Sequence, residues 1–159
     1  MEHLAPVVYT TQIKSAWLDY NNHMNVAYYV LVFDLAGEAL VHTLGLGEEV
    51  TNTTGISWMV LENHITYNQE VTLGQEVEVR VQLLDHDHKR LHLYYEMQAT
   101  GQNPYLASTL EQMIMCVDLT QRRATAWPDE VLAGIETLAK QQSHLARPAN
   151  SGRRIGIRR

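Results

Sequence analysis

The chain has 159 residues, of which 45% are hydrophobic and 19% charged, and its formal net charge is −6. This length favours a single domain with a sizeable core, and the balance of apolar and charged residues is that of an ordinary globular protein. The acidic net charge argues against general nucleic-acid binding. The single cysteine, Cys116, excludes an internal disulfide and fits a reducing compartment.

Two features of the sequence bear on its location. The N-terminal Met-Glu-His-Leu-Ala-Pro lacks the basic and apolar regions of a signal peptide. No uninterrupted apolar run approaches the roughly 18 residues that a membrane span needs. We therefore expect a cytoplasmic protein that binds neither membrane nor nucleic acid.

The charge is distributed unevenly along the chain. The last 13 residues contain no Asp or Glu but hold five arginines, namely Arg147, Arg153, Arg154, Arg158 and Arg159. The rest of the chain has 18 acidic residues and seven Lys or Arg, a formal charge of −11. We expect residues 146–159 to form a basic tail, which is either solvated or able to bind phosphate.

A long helix is predicted from Val26 to Leu44, because apolar residues recur there at helical spacing. Asn25 is a suitable N-cap, and Gly45 is a suitable stop. Apolar residues occupy nearly every side of this helix, which predicts that it is buried on almost all sides. The exceptions form one narrow polar stripe, made of Asp34, Glu38 and His42.

The remaining elements are predicted from β-type composition, alternation and turn residues. Strands are expected at 7–14, 56–67, 76–83, 91–98 and 105–117, a break at 51–55, and an amphipathic helix at about 128–142. This order predicts a single α+β domain over 1–145, with its core at about 5–120 and an antiparallel sheet wrapped around the long helix. A sheet covering one helix leaves its other face available, which favours dimerisation.

The segment before the long helix carries Asp19, His23 and three Asn. The N-terminus of a helix has unpaired backbone N–H groups and a partial positive charge, which suit an anion or a polarised carbonyl oxygen. We therefore expect the chemistry at this end of the helix.

The segment Asp19-Tyr-Asn-Asn-His23-Met-Asn25-Val-Ala-Tyr28 resembles the signature of the hot-dog-fold acyl-CoA thioesterases, the 4-hydroxybenzoyl-CoA thioesterase-like superfamily. That signature is an Asp, three loop residues of which the third is usually Gly, then His, an apolar residue, Asn, and a Tyr three residues later. Asn22 stands in the Gly position and must therefore adopt an unusual backbone angle. Val26 replaces a frequent second Asn, and the order of elements matches the family over roughly residues 5–120.

Three segments together resemble the betainyl-CoA thioesterases, which are related to the thioesterase domain fused to some L-carnitine dehydrogenases. They are Asp-Tyr-Asn-x-His-Met-Asn-Val-Ala-Tyr-Tyr-Val, Leu84-Asp-x-Asp-x-Lys89-Arg90-x-His92 and Gly152-Arg-x-Ile-Gly-Ile157. The resemblance implies an acyl-CoA substrate and a homodimer or dimer of dimers with active sites at subunit interfaces. The reaction needs no cofactor.

The resemblance maps the catalytic residue of the family onto Asp19, as a nucleophile or as a base that activates water. Backbone N–H groups around His23 to Val26 are the expected donors to the developing oxyanion. His23 either moves a proton or only holds the loop, and Asn25 is a cap that fixes these donors. Glu62 shares strand parity with Trp58, so we expect it on the buried face, either lining the site or paired structurally.

Candidate substrate contacts fall into two groups. Trp17, Tyr28 and Trp58 are either core residues or an aromatic cage around a cationic acyl group such as betainyl. The cations near the motifs are candidates for contacts with the phosphates of CoA, including contacts from a neighbouring subunit. They are Lys89, Arg90, Arg153 and Arg154.

Other centres are less well supported by the sequence. His86, His88 and His92 lie in a polar segment typical of an exposed hairpin turn, so no metal site is predicted. Cys116 lacks an activating neighbour and is expected to be a small core residue. The alternatives to a thioesterase are a hot-dog hydratase or dehydratase and a non-catalytic acyl-CoA-binding protein.

Overall fold

The computed structural model describes residues 4–157 and 159. In chain order the elements are β1 (Val7–Gln12), a 3₁₀ helix (Ser15–Trp17), α1 (Val26–Thr43), α2 (Glu48–Thr54), β2 (Ile56–Tyr67), β3 (Glu76–His86), β4 (Arg90–Ala99), β5 (Tyr105–Asp118), β6 (Arg123–Ala124) and α3 (Asp129–Gln141). Residues 1–3, which belong to the predicted N-terminal segment, and residue 158 of the predicted basic tail lie outside the described residues.

The strands form one antiparallel sheet in the order β1-β3-β4-β5-β2, and the short β6 pairs with β5. The long helix α1 packs against the inner face of this sheet, where Phe33 meets Tyr95 with their ring centroids 5.9 Å apart. Both residues belong to one core cluster that includes side chains from α1, β3, β4 and β5. The predicted α+β architecture, with one antiparallel sheet wrapped around one long helix, is therefore confirmed.

The prediction that α1 is buried on almost all sides is wrong for a single subunit. The sheet covers one side of the helix, and on the other side Val26 is 57% exposed and Val30 and Leu31 are also exposed.

Among the described residues, α1 is the one helix long and apolar enough to cross a membrane, a test that core helices also pass. Its buried residues pack into the core cluster. The cytoplasmic location stays a prediction.

The sequence pattern does not predict the helix α2, because the Thr-rich segment at 51–55 indicates only a break. Gly47 precedes the helix, and Glu48 and Glu49 place negative charge in its first turn, which the helix dipole favours. Gly55 ends the helix with a φ of 73°, a conformation that glycine adopts without strain. The bounds predicted for β2 are confirmed, and those of α3 agree within one residue.

A β-bulge in β2 changes which residues face the helix. Trp58 pairs with the buried Cys116, whereas Glu62 pairs with Met113 after a shift in register at Leu61. An extra residue in one strand reverses the alternation of side chains beyond it. Glu62 is therefore exposed on the outer face of the sheet, and the expectation that it shares the buried face with Trp58 is wrong.

A buried hydrogen-bonded chain links three strands on the inner face. The Tyr95 hydroxyl donates to Gln112 Oε1 at 3.0 Å, and Gln112 Nε2 donates to Asn63 Oδ1 at 2.9 Å. Tyr95 and Gln112 are both buried, and burial raises the pKa of Tyr95 so that its hydroxyl remains a donor. These hydrogen bonds fix β2 relative to β4 and β5.

Tyr95→Phe is expected to lower the free energy of unfolding by about 1–3 kcal/mol, because the buried Gln112 oxygen loses its donor. Denaturant unfolding measures the change. Tyr20→Phe is the matched control, since the Tyr20 side chain is 94% exposed; it should stay within about 0.5 kcal/mol of the parent. A Tyr95→Phe protein as stable as the parent would contradict a stabilising role for these hydrogen bonds.

The segment after α3 runs across the outer face of the sheet. Gln142 hydrogen-bonds to the backbone of β3, and Gln82 Nε2 of β3 donates to the Ala146 carbonyl at 3.2 Å. Further on, the Gly152 N–H donates to Glu111 Oε2 of β5 at 2.6 Å. The described part of the predicted tail is therefore held to the sheet as far as Gly152, and it covers part of the face that was expected to be available.

Candidate functional site

A tight loop holds Asp19 beside the start of α1. The Asp19 N–H donates to the His23 carbonyl, and the Asn22 N–H donates to the Asp19 carbonyl, both at 3.0 Å. Asn22 has a φ of 61°, which asparagine tolerates better than most non-glycine residues. The unusual backbone angle predicted from its position in the motif is therefore confirmed.

The two carboxylate oxygens of Asp19 differ in their contacts. Oδ1 accepts a hydrogen bond from the Asn21 N–H at 2.8 Å, which forms an Asx turn. Oδ2 has no hydrogen-bond partner within residues 4–157 and 159. One oxygen therefore fixes the side chain, while the other remains able to attack a substrate or to accept a proton.

Asn25 caps α1 as predicted. Its Oδ1 accepts a hydrogen bond from the Ala27 N–H at 3.0 Å, and its backbone has the extended conformation of an N-cap. This cap fixes the first turn of α1 and the direction in which the N–H groups of that turn point.

The backbone N–H groups at residues 23–26 differ in their availability to a ligand. Those of Met24 and Asn25 donate to backbone carbonyl oxygens at 2.9 Å. Those of His23 and Val26 have no partner in the part of the chain that the structure describes. Of the predicted oxyanion donors, the N–H groups of His23 and Val26 are therefore the ones left available to a ligand, and their role stays a prediction.

The His23 side chain contacts a residue that the sequence analysis missed. His23 Nε2 lies 3.1 Å from Glu70 Oε2, and a β-bridge joins His23 to Thr72. Both partners belong to the connection between β2 and β3, and no sequence motif linked that connection to the Asp19 loop. The contact fits a role in holding the loop, and a direct proton role for His23 stays a prediction.

Two of the three candidate cage residues lie together. Trp17 and Tyr28 are stacked with ring centroids 5.8 Å apart, and Lys14 Nζ lies 5.1 Å from the Trp17 ring centroid. Trp58 packs against the middle of α1, since a methyl group on Gly37 would lie 3.5 Å from its ring. Tyr28 and Gly37 are separated by about 13 Å along the helix axis. Within one subunit, Trp58 is therefore apart from this pair.

Lys89 lies in the turn between β3 and β4 and Arg90 is the first residue of β4, at the end of the sheet remote from Asp19. The Asp19 loop contacts the chain just before β3 begins, and the 11 residues of β3 span about 35 Å. Arg90 Nε donates to Asp87 Oδ2 at 2.8 Å, and the Arg90 hydrogen bond lowers the pKa of Asp87 to about 2. Within one subunit, neither cation is near Asp19.

Glu62 and Arg153 line the same cleft on the outer face of the sheet. This cleft of about 340 Å³ is also lined by His64, His92, Glu111, Gln112, Met113 and Gly152. In this cleft His92 Nε2 lies 2.7 Å from Glu111 Oε1, and Arg154 follows as an exposed residue. Among the described residues, no group of three or more His, Cys, Asp or Glu is arranged to hold a metal ion.

Cys116 is a core residue, as predicted. Its side chain is fully buried, and burial raises the pKa of its thiol to about 11. Because the thiolate is the nucleophilic form of cysteine, this thiol is inert at neutral pH.

Comparison with known proteins bears on the Asp19 loop and on α1. A family model described as the thioesterase-like superfamily matches residues 13–135, which include the Asp19 loop, α1 and β2 to β5. A betainyl-CoA thioesterase of Pseudomonas aeruginosa is 40% identical over 149 residues, which cover 94% of this chain and 93% of that protein. An L-carnitine dehydrogenase/betainyl-CoA thioesterase of Rhizobium meliloti is 32% identical over 149 residues, which cover 94% of this chain and 30% of that protein.

A solved structure is also similar over nearly the whole chain. A protein of Staphylococcus aureus in complex with CoA superposes with a TM-score of 0.90 at 29% identity, covering 98% of both chains. The family match spans well over half of the chain and contains the element order of the fold described above. The chain belongs to the thioesterase-like superfamily and is a thioester hydrolase with the hot-dog α+β fold.

Proposed function

We propose that the chain hydrolyses a small acyl-CoA thioester at the N-terminal end of α1. Hydrolysis needs a nucleophile or a base that activates water, and donors for the oxyanion that develops on the thioester carbonyl. Asp19 supplies the first and the N–H groups of His23 and Val26 supply the second. The observation that carries this proposal is that, among the residues that the structure describes, Asp19 Oδ2 and the N–H groups of His23 and Val26 are all without a partner, at the same end of α1.

The proposed substrate is betainyl-CoA, which would yield betaine and CoA. Its trimethylammonium group keeps its charge and has no N–H donor, so aromatic ring faces are suitable partners. The stacked Trp17 and Tyr28 support this choice, because they place two aromatic rings together next to the Asp19 loop. The names of the two curated relatives support it independently.

The proposed assembly is a homodimer, or a dimer of dimers, formed through α1 and the edge of β2. Val26, Val30 and Leu31 are exposed on α1, and Met59 and Leu61 are exposed in the middle of β2. A second copy of the chain can pair with the free edge strand and bury the exposed apolar side of the helix. Such an assembly also covers the side of α1 that one sheet leaves open.

The phosphates of CoA are proposed to meet cations of a second subunit. Within one subunit, Lys89 and Arg90 lie at the opposite end of the sheet from Asp19, and Arg153 and Arg154 lie beyond Gly152 near the β2 edge. If two β2 strands pair antiparallel, that end of one sheet comes beside the Asp19 end of the other. Arginine suits phosphate because its planar group donates two parallel hydrogen bonds.

Release of free thiol from a panel of short acyl-CoAs tests the proposed function. We expect betainyl-CoA to be hydrolysed fastest, and a betainyl thioester of N-acetylcysteamine, which lacks the nucleotide, to show a higher KM. A hydratase would instead change the absorbance of an enoyl-CoA without releasing thiol. A non-catalytic binding protein would neither release thiol from the acyl-CoAs nor change the absorbance of the enoyl-CoA. Either of those results would contradict the proposal.

A further inference from the structure

The C-terminal segment crosses the outer face of the sheet towards β2. Its first anchor is Gln82 on β3, which contacts Ala146, and its last is Glu111 on β5, which accepts the Gly152 N–H. Because the strand order is β3-β4-β5-β2, a chain that travels from β3 to β5 is heading for the free edge of the sheet.

Beyond Gly152 every residue that the structure describes is exposed, although Arg153 still lines the cleft on the outer face. We name residues 153–157 the C-terminal arm. Ile155 is 91% exposed and Ile157 is 86% exposed, although both are large apolar side chains whose burial is favourable. Arg153, Arg154 and Arg159 flank them, so the arm combines positive charge with two isoleucines that one subunit leaves uncovered.

A suitable surface for these isoleucines lies on the outer face beside the β2 edge. Met59 pairs with Met115, and Met113 is the next outward-facing residue on β5, since the intervening Ile114 is buried in the core. We name Met59, Met113 and Met115 the methionine cluster. Met59 is 48% exposed, and flexible thioether side chains adapt to varied apolar partners.

We propose that the C-terminal arm of each subunit docks on the methionine cluster of the other subunit. The inference rests on the two-subunit assembly proposed above, in which the β2 edges meet and each arm passes directly from its own sheet onto that of the second copy. Ile155 and Ile157 then cover the methionine cluster in a symmetric exchange. The charges are complementary, because the chain before its last 13 residues has a formal charge of −11.

A cysteine pair in the full-length chain tests the exchange. A protein carrying both Ile155→Cys and Met59→Cys is oxidised mildly and run on a non-reducing gel. We expect the chain of 18.1 kDa to shift to a band of twice that mass, since a disulfide requires Cβ atoms about 4 Å apart. The native Cys116 is buried and inert, so the parent should not shift. Ile155→Cys combined with Glu136→Cys on the exposed side of α3 is the matched control, and it should remain a monomer band.

Other results would overturn the arm exchange. A band that runs faster than the single chain would show an intramolecular disulfide and hence an arm docked on its own subunit, and the absence of any disulfide would show no docking. Light scattering and thiol release on the parent protein keep the two proposals separate. A dimeric, active parent whose cysteine pair does not cross-link refutes the arm exchange alone. A cross-linked dimer that releases no thiol supports the exchange and refutes the proposed function.

Discussion

Asp19→Asn is expected to lower kcat/KM for the acyl-CoA substrate by about 100- to 10,000-fold, the usual contribution of a positioned acid–base group. The substitution keeps an oxygen that can accept the Asn21 N–H and so preserves the Asx turn, but it removes the carboxylate charge and the basic Oδ2. The melting temperature should therefore stay close to that of the parent. Thiol release and thermal unfolding measure the two effects.

Asp118→Asn is the matched control for this substitution. Asp118 Oδ1 also accepts backbone hydrogen bonds in a turn, from the N–H groups of Thr120 and Gln121 at 2.9 Å each. It lies at the end of β5, away from the Asp19 loop. The control should hydrolyse the substrate at the parental rate, and comparable rates for the two variants would contradict a catalytic role for Asp19.

Trp17→Leu is expected to remove most of the preference for a cationic acyl group. The preference is the ratio of kcat/KM for betainyl-CoA to that for its neutral isostere, in which a tert-butyl group replaces trimethylammonium. A cation–aromatic contact contributes about 0.5–2 kcal/mol, so the loss should lower this ratio by roughly 2- to 30-fold. The kcat/KM for the neutral isostere should fall less, because that substrate makes only an apolar contact with the ring.

Trp127→Leu is the matched control for this loss of a ring. Trp17 and Trp127 are both buried. Trp127 precedes α3 and lies by the turn between β3 and β4, where its backbone N–H donates to the His88 carbonyl at 2.8 Å. The control should lose stability and keep the substrate preference.

Trp58→Leu tests separately whether a second subunit brings its Trp58 to the Trp17 and Tyr28 pair. Equal hydrolysis of the two substrates by the parent protein would contradict the cage.

Local interactions explain the features that were predicted correctly. Asn25 caps α1 through an N–H two residues away, and the backbone angle of Asn22 follows from a loop closed by its immediate neighbours. The alternation that predicted β3 and β4 is likewise a property of consecutive residues. The sequence by itself therefore determined the long helix, the strands and the loop that carries Asp19.

Contacts between distant segments decided the rest. The outward direction of Glu62 depends on how β2 pairs with β5 around the bulge, which no alternation within β2 predicts. The contact of His23 with Glu70 and the path of the tail to Glu111 depend on which elements the sheet brings together. The apolar composition of α1 predicted burial correctly for one side only, because burial is a property of the surfaces that meet the helix and not of the helix alone.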